Sequence, residues 1–217
     1  MNSYLFTSLF LTTLCLAGFW LVPRHRKPAL LSGLLGIPGA AYSLVFVPTY
    51  WNPVRILRLP IGIEDVLFSF ANGGLVWLLV SVWTSGIRLS IDSATVAKRW
   101  LAVTAAFTLL LVVVARSGVP VMHAGLVGAA VILGAMLWHR RAYWPLVVRG
   151  AIAFSVLYGA VLFASLQIWP DALSQWDTRV LSGIVFLGAP VEEMVWALAY
   201  GAVYPIVMAF FLEARMP

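Results

Sequence analysis

Seven apolar runs, each near the roughly 20 residues that carry a helix across a bilayer, take up most of this sequence. They span Tyr4–Val22, Ala29–Val47, Ile61–Trp83, Trp100–Ala115, Val121–Trp138, Pro145–Ile168 and Leu181–Leu212. A chain with so little polar sequence left over has few options. In lipid every backbone N–H and C=O must be satisfied within the protein, which leaves helices or closed barrels. The runs are too long for barrel strands, so the fold class expected is an all-α integral membrane bundle. Charged residues make up 10% of the 217 and the mean hydropathy is +0.97. Soluble chains carry roughly 25% charge, so this composition cannot coat a water-facing surface. The first run precedes the basic stretch "PRHRKP" (Pro23–Pro28), which reads as a first transmembrane helix rather than a cleaved signal peptide.

The net charge of +6 does not point to nucleic acid, because basic residues gather in the cytoplasmic loops of membrane proteins. Loops after odd-numbered runs, with the tail, hold Arg24, Arg26, Lys27, Arg88, Lys98, Arg99, Arg140, Arg141 and Arg215. The other side holds Arg55, Arg58, Arg116 and Arg179, and Arg149 lies inside the sixth run. A multi-pass protein of the inner (plasma) membrane is expected, with the N-terminus outside and the C-terminus cytoplasmic. The lone Cys15 permits no disulfide within the chain and no zinc site.

Against this background four acids stand out. The third run opens "IGIEDVLFSFANGG" and the seventh contains "LGAPVEEMVWALAYG". Aligned, Glu64-Asp65 falls on Glu192-Glu193, and Asn72 falls on Tyr200, each eight residues after the first acid. This is a weak internal repeat. It divides the chain into a first three-helix unit (1–98), a linker helix (99–118) that restores direction, and a second, parallel three-helix unit (119–217). Both acid pairs are then expected near the outer leaflet. An ionised carboxyl at a helix centre costs roughly 2.5–3.5 kcal/mol even on insertion scales. Neighbouring helix positions differ by about 100°, so the two acids of a pair face different surroundings. Facing carboxyls in an apolar cavity suit acid–base chemistry. The aromatics Phe68, Phe70, Trp77, Trp196, Tyr200 and Tyr204 flank them, and π faces there can stabilise a carbocation.

Other readings of the acids stay open. Glu64 and Asp65 can form a helix N-terminal charge pair. Glu192 and Glu193 lie deeper and can form a salt bridge, for instance to Arg149. A divalent metal is a third reading, although His25 and His139 sit in basic loops and His123 stands alone. Two Trp-bearing loops, "TYWNPVRILRLP" (Thr49–Pro60) and "WPDALSQWDTRVLSG" (Trp169–Gly183), each precede an acid-bearing run. Trp is usual at a membrane interface.

The Pro-x-Glu-Glu/Asp signature at the start of a span, present in tandem three-helix units, resembles the heterodimer-type lycopene cyclases of bacteria and the fused forms of archaea and fungi. "APVEEMVW" (Ala189–Trp196) matches the signature, and "GIEDVLFSFAN" (Gly62–Asn72) is similar in its acids and aromatics. Gly62 stands where the family usually has Pro, with Pro60 two residues earlier. Trp196 and Tyr200 stand where the family often has Phe and a Thr or Asn. The resemblance implies a redox-neutral cyclisation of an apolar polyene drawn from the bilayer, with no redox cofactor and no metal. It makes Glu192, Glu193, Glu64 and Asp65 the catalytic candidates, with Asn72, Tyr200, Phe68 and Trp196 around the substrate. A proton-coupled transporter, or a cyclase of another isoprenoid lipid, would use the same acids.

Overall fold

The computed structural model describes residues 2–84, 86–177 and 179–216. Helix α1 (Ser3–Leu21) leads through a 3₁₀ turn at Pro23–His25 into α2 (Arg26–Gly36). Pro38 then tightens the chain into a 3₁₀ stretch, Ile37–Tyr42, which ends in the single turn α3 (Ser43–Phe46). Long helices α4 (Ile63–Trp83), α5 (Ser93–Arg116), α6 (Val121–His139), α7 (Trp144–Ile168) and α8 (Val191–Phe211) follow. Counting Pro23–Phe46 as one segment, seven helical segments among the described residues are long and apolar enough to cross a membrane. Their outer faces are apolar too: Leu109, Val113 and Val156 are exposed side chains in mid-helix. That surface suits lipid and not water.

The ends of the spans fall close to those expected, with two differences. Helix α5 begins at Ser93, where Asp92 accepts from Thr95 N at 2.8 Å and caps it. A boundary at 98/99 therefore cuts within that helix. The last helix begins at Val191, ten residues later than the apolar run beginning at Leu181. Leu181–Pro190 instead forms an exposed turn in which Val185–Phe186 (β1) pairs antiparallel with Ala189–Pro190 (β2). Gly183 (φ 78°) and Gly188 (φ 80°) take left-handed backbone, which a helix excludes, and Pro190 is its N-cap.

Helices α4 and α8 occupy the centre, and α4 packs on α1, α2 and α7 while α8 packs on α6 and α7. Close approach depends on small residues, as is usual where no water drives helices together. A Cβ on Gly150 of α7 would run into the Gly201 carbonyl oxygen of α8, so those two backbones touch. Between α2 and α4, Ser32 Oγ donates to the Gly73 carbonyl at 2.7 Å. The largest fully buried side chains, Trp77, Phe154, Leu11, Leu111 and Leu146, fill the gaps between these contacts.

Candidate active site

The two acid pairs occupy equivalent places. Glu64 and Asp65 lie in the first turn of α4, and Glu192 and Glu193 in the first turn of α8. Glu192 and Glu193 are thus no deeper than the other pair, contrary to the reading in which the seventh span began at Leu181. Nor does Arg149 reach them: its Nη1 donates to Thr84 Oγ1 at 2.7 Å, beside the far end of α4.

All four acids are buried, and within each pair they diverge as the 100° rotation requires. The first acid of each pair holds the preceding loop. Glu64 Oε1 accepts from Ile56 N at 2.8 Å and from Asn2 Nδ2 at 3.2 Å. Glu192 Oε1 accepts from Ser182 N at 2.6 Å. The second acid of each pair, Asp65 and Glu193, lines one shared cavity of about 410 Å³. That volume falls in the roughly 300–1,000 Å³ range of small-molecule sites. Of the expected substrate neighbours, Asn72, Tyr200, Phe68 and Trp196 line it as well, whereas Glu64 and Glu192 do not.

Asp65 is an ion-paired acid. Arg55 Nη2 donates to its Oδ1 at 3.2 Å, and Arg55 Nε lies 3.0 Å from Oδ2, without the alignment of a hydrogen bond. Tyr4 Oη donates to Oδ1 at 3.0 Å and Gly62 N to Oδ2 at 2.7 Å. The last contact explains the glycine in place of proline. Asp65 at N3 takes the N-cap amide of its own helix, and proline has no N–H to give. A Cβ on Gly62 would also meet Arg55 Cδ at 2.9 Å.

Glu193 is surrounded by neutral donors. Tyr50 Oη (2.7 Å) and Trp176 Nε1 (2.9 Å) donate to Oε1, and Tyr158 Oη (2.7 Å) donates to Oε2. Burial first, and then the carboxylate beside it, push the Tyr50 phenol upward, so it remains a donor at neutral pH. None of these three, nor Tyr4 or Arg55, was singled out for chemistry from the sequence. Tyr50, Arg55 and Trp176 belong to the two Trp-bearing loops. Tyr4 and Tyr158 sit inside apolar helices, where no spacing marks them.

The loops pair over the cavity. Asn52 N donates to the Gln175 carbonyl at 2.7 Å and Asp177 N to the Tyr50 carbonyl at 2.9 Å, an antiparallel bridge around Trp51 and Trp176. Trp51 packs edge-on against Tyr4, with ring centres 4.5 Å apart. Beside the bridge, the half-buried Asp177 carboxyl is held down at about 2 by hydrogen bonds from Arg179. Below this cap a stack of aromatics runs along α8. Trp196–Tyr200 centres lie 5.2 Å apart and Tyr200–Tyr204 centres 5.0 Å apart, and Phe68 of α4 stacks on Trp196 at 6.0 Å. Asn72, with neither amide atom bonded, lies on the same cavity wall, one turn below Phe68. Among the described residues no group of three His, Cys, Asp or Glu side chains gathers as a metal site.

Capped, buried carboxyls over an apolar, aromatic-walled cavity, in a bundle of helices long and apolar enough to cross a membrane, suit proton chemistry on an apolar molecule. Residues 119–211 match the family model for lycopene cyclase. The matched stretch contains the "APVEEMVW" signature, and the match supports carotenoid cyclisation in general; residues 1–118 lie outside it. No curated protein and no solved structure matches the chain.

Proposed function

We propose that this chain is an intramembrane carotenoid cyclase that closes a β-type ring on the linear end group of a lycopene-like polyene. The observation that carries this reading is the pair Asp65 and Glu193, from two helices, on the wall of one apolar cavity. In the reaction, Glu193 takes up a proton before the substrate binds and then gives it to the terminal double bond, which leaves a tertiary cation. The neighbouring double bond attacks it and closes a six-membered ring, which moves the cation onto the ring. Asp65, ion-paired with Arg55, removes a ring proton and restores a double bond. One proton is gained and one lost, so the product is an isomer and no electrons are exchanged. Tyr4 is bonded to Asp65 and Tyr50 to Glu193, and in this reading the two hydroxyls take part in returning the proton to Glu193 between turnovers.

The π faces of Phe68, Trp196 and Tyr200 support the cation, and the Trp51–Trp176 cap excludes water that would trap it as an alcohol. Glu64 and Glu192 act as positioning residues that fasten the two cap loops. The likeness of the acid turns supports the reading of two tandem units joined by α5, with both acid turns at the outer face. Expression in a lycopene-accumulating bacterium tests the function. Chromatography is expected to give monocyclic or bicyclic isomers of unchanged mass. Unaltered lycopene alone would contradict the reading. Proton-driven uptake of a solute in liposomes, without ring formation, would favour a transporter.

A further inference from the structure

The polyene must reach acids that the cap seals from water. Helices α4, α7 and α8 form the inner wall of the cavity, with α1 and α6 beside them. One stretch of wall differs. Between the Ile37–Tyr42 3₁₀ segment and α5 the lining reaches the outer surface. Pro38 lines the cavity and is also exposed on the outer surface. Phe107 and Tyr42 line it too and meet edge-to-face, with centres 5.3 Å apart.

Two hydrogen bonds frame this stretch. Trp100 Nε1 donates to the Leu35 carbonyl at 3.1 Å. Further along α5, the hydroxyls of Tyr42 and Thr108 meet at 3.1 Å, with Thr108 exposed. Residues 100 and 108 of α5 are about 12 Å apart along the helix axis at 1.5 Å per residue. Val103, Thr104 and Phe107 line the cavity between them. The 3₁₀ side is also the easier one to deform, because 3₁₀ hydrogen bonds are poorer than α-helical ones and Pro38 has no N–H to bond. Packing of α5 is one-sided, against α6 and α8.

We propose that this window is a lateral portal for a hydrocarbon chain from the bilayer, with the Tyr42–Thr108 hydroxyl pair as its latch and α5 as its movable jamb. The proposal rests on the cyclase reading for the identity of the chain, but not for the route. The latch suits its surroundings: the pair holds the window shut, yet a hydrogen bond between helices in a membrane is weak enough to open thermally.

Loading is measured as quenching of tryptophan fluorescence when protein in liposomes is mixed with liposomes containing lycopene, a readout independent of turnover. In the Tyr42→Cys/Thr108→Cys variant, a short bis-methanethiosulfonate reagent ties the two sides through disulfides. The unmodified chain, whose Cys15 is fully buried, is the reagent control. Cross-linking is expected to slow loading at least tenfold, and reductant to restore it. Thr108→Val, which deletes the latch hydroxyl, is expected to speed loading roughly twofold to tenfold, the factor for one hydrogen bond between helices in a membrane. Loading unchanged by both the cross-link and Thr108→Val overturns the portal. Normal loading and release without ring formation in the unmodified chain would instead refute the cyclase reading and leave the portal standing.

Discussion

Replacing Gly62 separates two roles that one residue fills. Its N–H donates to the buried Asp65 carboxylate at 2.7 Å, and its missing Cβ leaves room for Arg55. Gly62→Ala keeps the N–H and adds only the Cβ, which would sit 2.9 Å from Arg55 Cδ. A crowding cost of about 1–3 kcal/mol follows. Gly62→Pro adds a similar crowding and deletes a hydrogen bond to a charged group, worth roughly 1.5–3 kcal/mol. The native φ of −88° is near enough to proline's range that the ring itself adds little strain. Proline is therefore expected to be the worse of the two by roughly 1.5–3 kcal/mol, although it is the residue more usual in the family. The assay is thermal unfolding of both variants in one detergent, followed by tryptophan fluorescence, with ring formation measured in parallel. If Pro is tolerated as well as Ala, the Gly62–Asp65 contact does not hold the acid turn and the explanation of this glycine fails.

Three further outcomes are expected. Gly150→Ala, which drives a methyl into the Gly201 carbonyl, should lower stability by about 1–3 kcal/mol or more, whereas Gly134→Ala, with open space around it, should raise it by about 0.5–1 kcal/mol; thermal unfolding compares them. Arg55→Met leaves Asp65 buried without its cation and should cost about 3–5 kcal/mol, while the double variant with Asp65→Asn should recover much of that loss; a double-mutant cycle checks the coupling. The Asp177 carboxyl, held at about 2 by Arg179, contributes fully above its unfolded value near pH 4 and loses its contribution as pH falls through about 2. Carbon-detected NMR of the carboxyl is thus expected to show no titration between pH 4 and 8, and a midpoint there would contradict the Asp177–Arg179 contact.

The bilayer makes the helices easy to read, because each must be long and apolar, and six of the seven begin and end within several residues of the positions expected. The seventh misleads for a physical reason. "LSGIVFLGAP" is as apolar as a span, and hydropathy does not register that Gly183 and Gly188 turn left-handed before Pro190. The acids were legible because charge is costly in lipid, and their matching spacing gave the equivalence of Asp65 and Glu193. Which acid of each pair faces the cavity was not, since it depends on where α7 and the cap loops pack. The groups that hold Glu193 were also hidden: Tyr50, Tyr158 and Trp176 come from three separate segments and meet only in the fold.

The central claim is that the second acid of each pair does chemistry and the first holds a loop. It is tested most directly by comparing Glu193→Gln with Glu192→Gln in lycopene-accumulating cells at matched protein levels. Gln at 193 keeps the size and most hydrogen-bonding sites but cannot give up a proton, so ring formation should fall by at least a hundredfold. Gln at 192 still accepts from Ser182 N and should retain a substantial fraction of activity. Full cyclisation by Glu193→Gln, or its abolition only in Glu192→Gln, would contradict the account.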